Sequence, residues 1–112
     1  MVPRDLIAAS STPLVLSILA EGESYGYAII QRVRELSAEE IQWTDGMLYP
    51  VLHRLERDEL IVAEWRQAES GRERKYYRLT TKGRKSLKEE KANWLTVHNT
   101  LGKLWNLQPV ST

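Results

Sequence analysis

Apolar residues recur at helical spacing along most of this chain and switch to strand-like alternation only once, between Ile61 and Leu79. Over Arg4 to Ala20 the positions Leu6, Ile7, Leu14, Leu16, Ile18 and Leu19 predict a first helix that Gly22 ends. Pro13 should bend it, because proline lacks an N–H and crowds the preceding turn. Ser24 offers a side-chain oxygen to cap a second helix with an apolar stripe of Tyr27, Ile29, Ile30, Val33 and Leu36. A connector from Ser37 to Trp43 leads to Thr44, a good N-cap for a third helix that turns Leu48, Val51, Leu52 and Leu55 inward. Its opposite face carries Met47, Tyr49, His53, Arg54 and Arg57. Pro50 should cost about 3 kcal/mol in a helix interior, so the regular helix is expected to begin late or to have a distorted first turn.

β-Branched and aromatic residues from Ile61 to Arg66 predict a strand, Gln67 to Arg72 a polar turn, and Lys75 to Leu79 a returning strand. Tyr76 and Tyr77 must then face opposite sides of it. Thr80 or Thr81 caps a last helix reaching about Trp105, where Leu87, Trp94, Val97, Leu101 and Leu104 keep one seam in register and require a partner. The chain therefore reads as mainly α with a small β-hairpin, a winged helix-turn-helix plus a long C-terminal dimerisation helix. The winged module covers residues 1–80, the dimerisation helix residues 81–107, and a tail with little to bury residues 108–112.

A length of 112 residues suits one domain with a small core, to which a second copy would add buried surface. Cysteine is absent from the sequence, which excludes a disulfide framework, a Cys-based zinc site and a thiol nucleophile, and fits a reducing compartment. The apolar stretch from Pro13 to Ala20 is too short to span a bilayer or serve as a signal peptide, so a cytoplasmic protein without a membrane partner is expected. The formal net charge of +1 conceals a strong asymmetry. Residues 1–65 hold five Lys/Arg against eleven Asp/Glu, and residues 66–112 hold eleven against four. Local field, acting within a Debye length of roughly 8 to 10 Å, is what attracts a polyanion.

The cations Arg72, Arg74 and Lys75 cluster with Gly71 on the hairpin and beside the third helix. Taken alone, this run also suits a solvated turn. Next to a recognition helix it suits duplex DNA, since Arg and Lys neutralise phosphates and release counterions while base edges carry the sequence information. Met47 and Tyr49 offer apolar contact to a thymine methyl, and His53 a hydrogen bond to a base or phosphate, although an ordinary surface histidine would look the same. Ser24 and Tyr25 open the second helix, whose free N–H groups favour a phosphate oxygen. With Thr44 and Arg54, the candidate DNA-contacting set is Ser24, Tyr25, Thr44, Met47, Tyr49, His53, Arg54, Gly71, Arg72, Arg74 and Lys75.

Glu21-Gly22 followed by Tyr25-Gly26-Tyr27, Leu48-Tyr49-Pro50 with Leu55-Glu56, and Gly71-Arg72 through Lys75-Tyr76-Tyr77-Arg78-Leu79-Thr80 together resemble the PadR family of bacterial transcriptional regulators. The resemblance runs from about Pro3 to Trp105. The single C-terminal helix is similar to the short subgroup that includes a lactococcal multidrug-responsive repressor, in which the first and last helices build a homodimer and paired tryptophans sandwich flat ligands. Trp94 falls at the position of that pore tryptophan. The sequence departs from the pattern at Met47, commonly threonine, and at Lys91, where that repressor has an aromatic residue.

The resemblance implies a homodimer with Leu6, Leu87, Trp94, Val97, Leu101, Leu104 and Trp105 at the interface, and a small aromatic effector contacted by Ala8, Thr12, Trp94 and His98. A tryptophan at such a position is more often plain dimer core than a ligand site. It also implies a pseudo-palindromic operator on double-stranded DNA and a repressor function. No cofactor or metal is expected: His53 and His98 lie on distant elements, and there is no Walker loop, dinucleotide fingerprint, zincin histidine pair or plausible Ser-His-Asp set. A winged-helix module that binds an acidic protein instead of DNA is the alternative.

Overall fold

Residues 1–108 are described by a computed structural model, and the predicted tail lies outside them from residue 109 onward. The elements run α1 (Arg4–Ala20), β1 (Ser24–Tyr25), α2 (Gly26–Leu36), α3 (Asp45–Arg57), β2 (Ile61–Gln67), β3 (Glu73–Leu79) and α4 (Thr81–Leu104). Val15, Leu16 and Leu19 of α1, Ile29 and Val33 of α2, Leu48, Leu52 and Leu55 of α3, and Ile61, Tyr77 and Leu79 of the sheet form one buried cluster. Each large aliphatic side chain there contributes about 1.5 to 3 kcal/mol through burial, which is what fixes α3 on the body of the molecule.

Several local expectations are corrected. Ser24 does not cap α2: with Tyr25 it forms β1, antiparallel to β3 in the register Ser24↔Tyr77 and Tyr25↔Tyr76, so the sheet has the order β1-β3-β2. Tyr25 precedes α2 without a side-chain capping bond. The third helix does not begin late; it starts at Asp45 and runs through Pro50. The Thr44 hydroxyl, accepting from the Met47 N–H at 3.3 Å, secures its first turn. The bond that Pro50 cannot donate would have gone to Gly46, which is exposed, so solvent can satisfy that carbonyl. Tyr27 and Leu36, expected in the apolar stripe of α2, are exposed, whereas Trp43 of the connector is buried. Leu6 of α1 is likewise exposed.

In the hairpin, β2 pairs with β3 from Ile61↔Leu79 to Gln67↔Glu73. Gly71 closes the turn at φ +84°, a left-handed conformation that favours glycine, and its N–H donates to the Ala68 carbonyl at 2.9 Å. Tyr77 faces the core and Tyr76 is half-buried on the other face, as alternation requires.

The junction into α4 is tightly bonded. The Thr80 hydroxyl accepts from the Gly83 N–H at 2.9 Å and donates to the Glu59 carbonyl at 2.7 Å. The Thr80 N–H donates to the Leu60 carbonyl at 3.1 Å, and Lys82 Nζ to the Asp58 carbonyl at 3.0 Å. Gly83 packs so closely on the Leu60 carbonyl that a Cβ would collide with it. α4 also packs along α1, and Leu87 rests on the core. Farther along, Val97, Leu101, Leu104 and Trp105 are exposed. Among the described residues, no helix is long and apolar enough to cross a membrane.

Candidate nucleic-acid interface

An open groove of about 690 Å³ lies between the outward face of α3, the start of α2 and the hairpin. Tyr49 and His53 line it from α3, Tyr25 from β1, Gly26 and Tyr27 from the start of α2, and Trp65, Arg72, Glu73, Arg74, Lys75 and Tyr77 from the hairpin. Six of the candidate DNA-contacting residues, Tyr25, Tyr49, His53, Arg72, Arg74 and Lys75, thus meet on one surface. Leu48, Leu52 and Leu55 bury the inner face of α3, so helical periodicity turns Tyr49 and His53 outward.

The other candidates lie elsewhere. Met47 is half-buried, packs against the core, and shares a recess with Thr44 and Ile7 on the α1 side. Arg54 Nη2 donates to Thr12 Oγ1 at 2.9 Å, which draws the guanidinium towards α1. Ser24 sits in the sheet beside a separate recess with Glu21, Glu23 and Arg32. Gly71 is at the hairpin tip.

Rings and cations tie the groove to the opposite face of the hairpin. The Arg74 guanidinium lies 4.4 Å over the Tyr25 ring, Tyr25 meets Tyr76 edge-on at 5.5 Å, and Arg66 lies 4.7 Å over Tyr76. Arg66 also forks onto the Glu23 carboxylate at 2.6 and 2.5 Å. That hydrogen bond holds the Glu23 pKa below its ordinary value and raises that of Arg66. The pair is solvent-accessible, so its role is to fix the geometry of the hairpin against the turn before β1 more than to add stability. On the other side, Lys75 Nζ lies 3.3 Å from Glu56 Oε1 at the end of α3 and 5.5 Å from the Tyr77 ring. The hairpin is therefore anchored both to the α1–β1 turn and to α3.

Tyr77 forms part of the groove's lining, with its hydroxyl buried and without a hydrogen-bond partner among the described residues. Burial first, then the charges of Glu56 and Tyr49, push its pKa up to about 12. It remains a neutral phenol under ordinary conditions.

The candidate effector positions do not converge within one chain. Ala8 opens onto a recess between α1 and α3 together with Trp43 and Pro50, Thr12 is bonded to Arg54, Trp94 is half-buried on α4, and His98 is exposed. Five lining residues fall outside the candidate set: Gly26, Tyr27, Trp65, Glu73 and Tyr77. The helical stripe assigns Tyr27 to the core, and the strand pattern gives Trp65 no role beyond β2. The alternation Ile61, Ala63, Trp65 is the signal for the indole, because it sets Trp65 on the core-facing side where the strand has already run past the core.

Residues 15–89, which contain every element of this groove, match the profile of the transcriptional regulator PadR-like family. The chain belongs to the PadR-like family. A transcriptional regulator of Mycobacterium tuberculosis is 42% identical over 77 residues, covering 69% of this chain and 68% of the relative. An uncharacterized protein of Lysinibacillus sphaericus is 34% identical over 97 residues, 87% of this chain and 89% of its own. Among solved structures, a transcriptional regulator from Clostridium thermocellum superposes with a TM-score of 0.81 at 30% identity, covering 92% of this chain and 97% of that one. A PadR family transcription regulator from Clostridium difficile gives 0.75 at 32% identity, covering 86% and 98%. PadR-like proteins are DNA-binding transcriptional regulators, not enzymes, and the four helices with a small three-stranded antiparallel sheet are the winged-helix architecture of those structures.

Proposed function

We propose that this PadR-like regulator is a homodimeric repressor that sets two α3 helices into successive major grooves of a pseudo-palindromic operator, with both hairpins on the flanking backbone. The observation that carries the reading is the shared groove: the outward residues Tyr49 and His53 of α3 open onto the same surface as Arg72, Arg74 and Lys75. Side chains suited to base edges thus adjoin cations suited to phosphates. The long α4 supports dimerisation, because Val97 and Leu104 remain 51% and 74% exposed on a helix that one chain leaves uncovered. Relief of repression would come from a small planar ligand between the last helices, near Trp94, that binds better to a dimer with misaligned reading heads. The likeness of Trp94 to the pore tryptophan of the lactococcal multidrug-responsive repressor supports that part.

Selection from a random duplex pool, followed by binding measurements at several salt concentrations, tests the reading. Enrichment of an inverted repeat with log K falling linearly in log salt is expected. Absence of duplex binding, with an acidic protein captured through the hairpin instead, would replace it by the interaction-module alternative.

A further inference from the structure

Trp65 is the outlying member of the groove. Ala63, Trp65 and Gln67 share one face of β2 and pair with Tyr77, Lys75 and Glu73. The first of these pairs is covered, with Tyr77 only 1% exposed and Ala63 packed on the core. Two residues farther out, about 6.6 Å along the strand at roughly 3.3 Å per residue, Trp65 keeps 63% of its surface in water. A tryptophan buries on the order of 150 to 250 Å² when covered, so a bare indole at the rim of a built groove calls for an occupant.

The surrounding charge selects the occupant. Arg72, Arg74 and Lys75 line the groove with Trp65, against one acidic lining residue, Glu73. Glu56, near the groove floor, is already engaged by Lys75. A flat apolar face with a single donor edge, set among cations, matches a sugar–phosphate backbone: the ring fits a deoxyribose and the indole N–H fits a phosphate oxygen.

We propose that Trp65 is a DNA contact, packing its indole across a deoxyribose of the duplex and donating Nε1–H to an adjacent phosphate. This rests on the duplex-binding reading and adds an uncharged anchor to it. Cations contribute through counterion release and so set the salt slope, whereas an indole displaces no counterion and its contribution persists at high salt.

The experiment compares wild type, Trp65→Ala, Trp65→Phe and Arg74→Ala on one duplex enriched from the random pool, across a salt series, with thermal melts as a folding control. Trp65→Ala is expected to weaken binding by about five- to thirtyfold at every salt concentration, the range for losing a well-packed interface aromatic, with the slope unchanged. Arg74→Ala should lower the slope instead. Trp65→Phe should recover part of the affinity and lose the DNA-induced change in tryptophan fluorescence. Wild-type binding with unaltered affinity in Trp65→Ala overturns the assignment and leaves the duplex reading standing; no wild-type binding to any duplex overturns both. Should Trp65→Ala melt early, Trp65→Phe decides, since an undiminished fluorescence response in that variant also overturns the contact.

Discussion

The phenol end of Tyr49 fills the space directly over Gly26: a Cβ at residue 26 would collide with the Tyr49 hydroxyl oxygen and lie 2.9 Å from Cζ. Tyr49 is 38% exposed, so its ring has room to swing aside. Gly26→Ala should therefore move Tyr49 at little cost in thermal stability. Its duplex affinity should fall by about 1 to 3 kcal/mol, the cost of losing a base contact, to the same level as Tyr49→Ala. The double variant should bind no worse than either single one, because both remove the same interaction. Additive losses would show that Gly26 acts separately from the ring.

Arg72→Ala and Arg74→Ala should each lower the log–log salt slope by about 0.9 and weaken binding to all sequences alike. Glu56→Gln releases Lys75 from its 3.3 Å partner and should strengthen non-specific binding at low salt. Anisotropy titrations on cognate and scrambled duplexes read both effects. A loss confined to the cognate site would make the arginines base readers instead of backbone anchors.

The sequence made the long periodic elements legible and left the short ones obscure, for physical reasons. α1 and α4 start and end close to their predicted bounds, since their end signals are clear: Pro3 and Gly22 bracket α1, and Thr80 caps α4. The strand β1 is only two residues long and exists through its pairing with Tyr76 and Tyr77, some fifty positions away, so Ser24 looked like a helix cap. Trp43 is buried by tertiary packing in a connector without periodicity. Tyr27 followed the helical stripe but lies at its edge, above the groove and not in the core. The hairpin cations and the outward residues Tyr49 and His53 could be read directly, whereas Met47 and Arg54 sit on the flank of α3, where one step of helical angle decides between α1 and the groove.

Leu101→Asp places a charge in the exposed apolar row of α4 and should give monomers by analytical ultracentrifugation, with the melting temperature of the winged module nearly unchanged. Leu101 is 36% exposed in the single chain, so Leu104→Asp, at a residue 74% exposed, is the control that removes little intrachain packing. Persistence of a dimer would place the interface on another face.

Tyr77 sets an alkaline limit. Its folded-state pKa of about 12 lies above the ordinary 10.0, so the fold favours the neutral phenol. The corresponding stability is complete below pH 10 and is lost as pH rises through about 12, amounting to at most roughly 2 to 3 kcal/mol. Tyr77→Phe keeps the ring and removes the titration, so its denaturation midpoint should fall less between pH 9 and 12 on urea unfolding. Equal losses in the two proteins would assign the alkaline transition to other groups.

The bonds that join Thr80, Lys82 and Gly83 to the backbone of residues 58–60 make the foot of α4 and the end of α3 a single joint. A helix of 24 residues extends about 36 Å at 1.5 Å per residue, so a tilt of some 5° at that joint sweeps its far end through roughly 3 Å. Leverage runs both ways. In the proposed dimer, a molecule wedged between two such arms would turn the tips proposed to touch DNA, and DNA holding those tips at a fixed spacing would narrow or widen the space in which the wedge must fit.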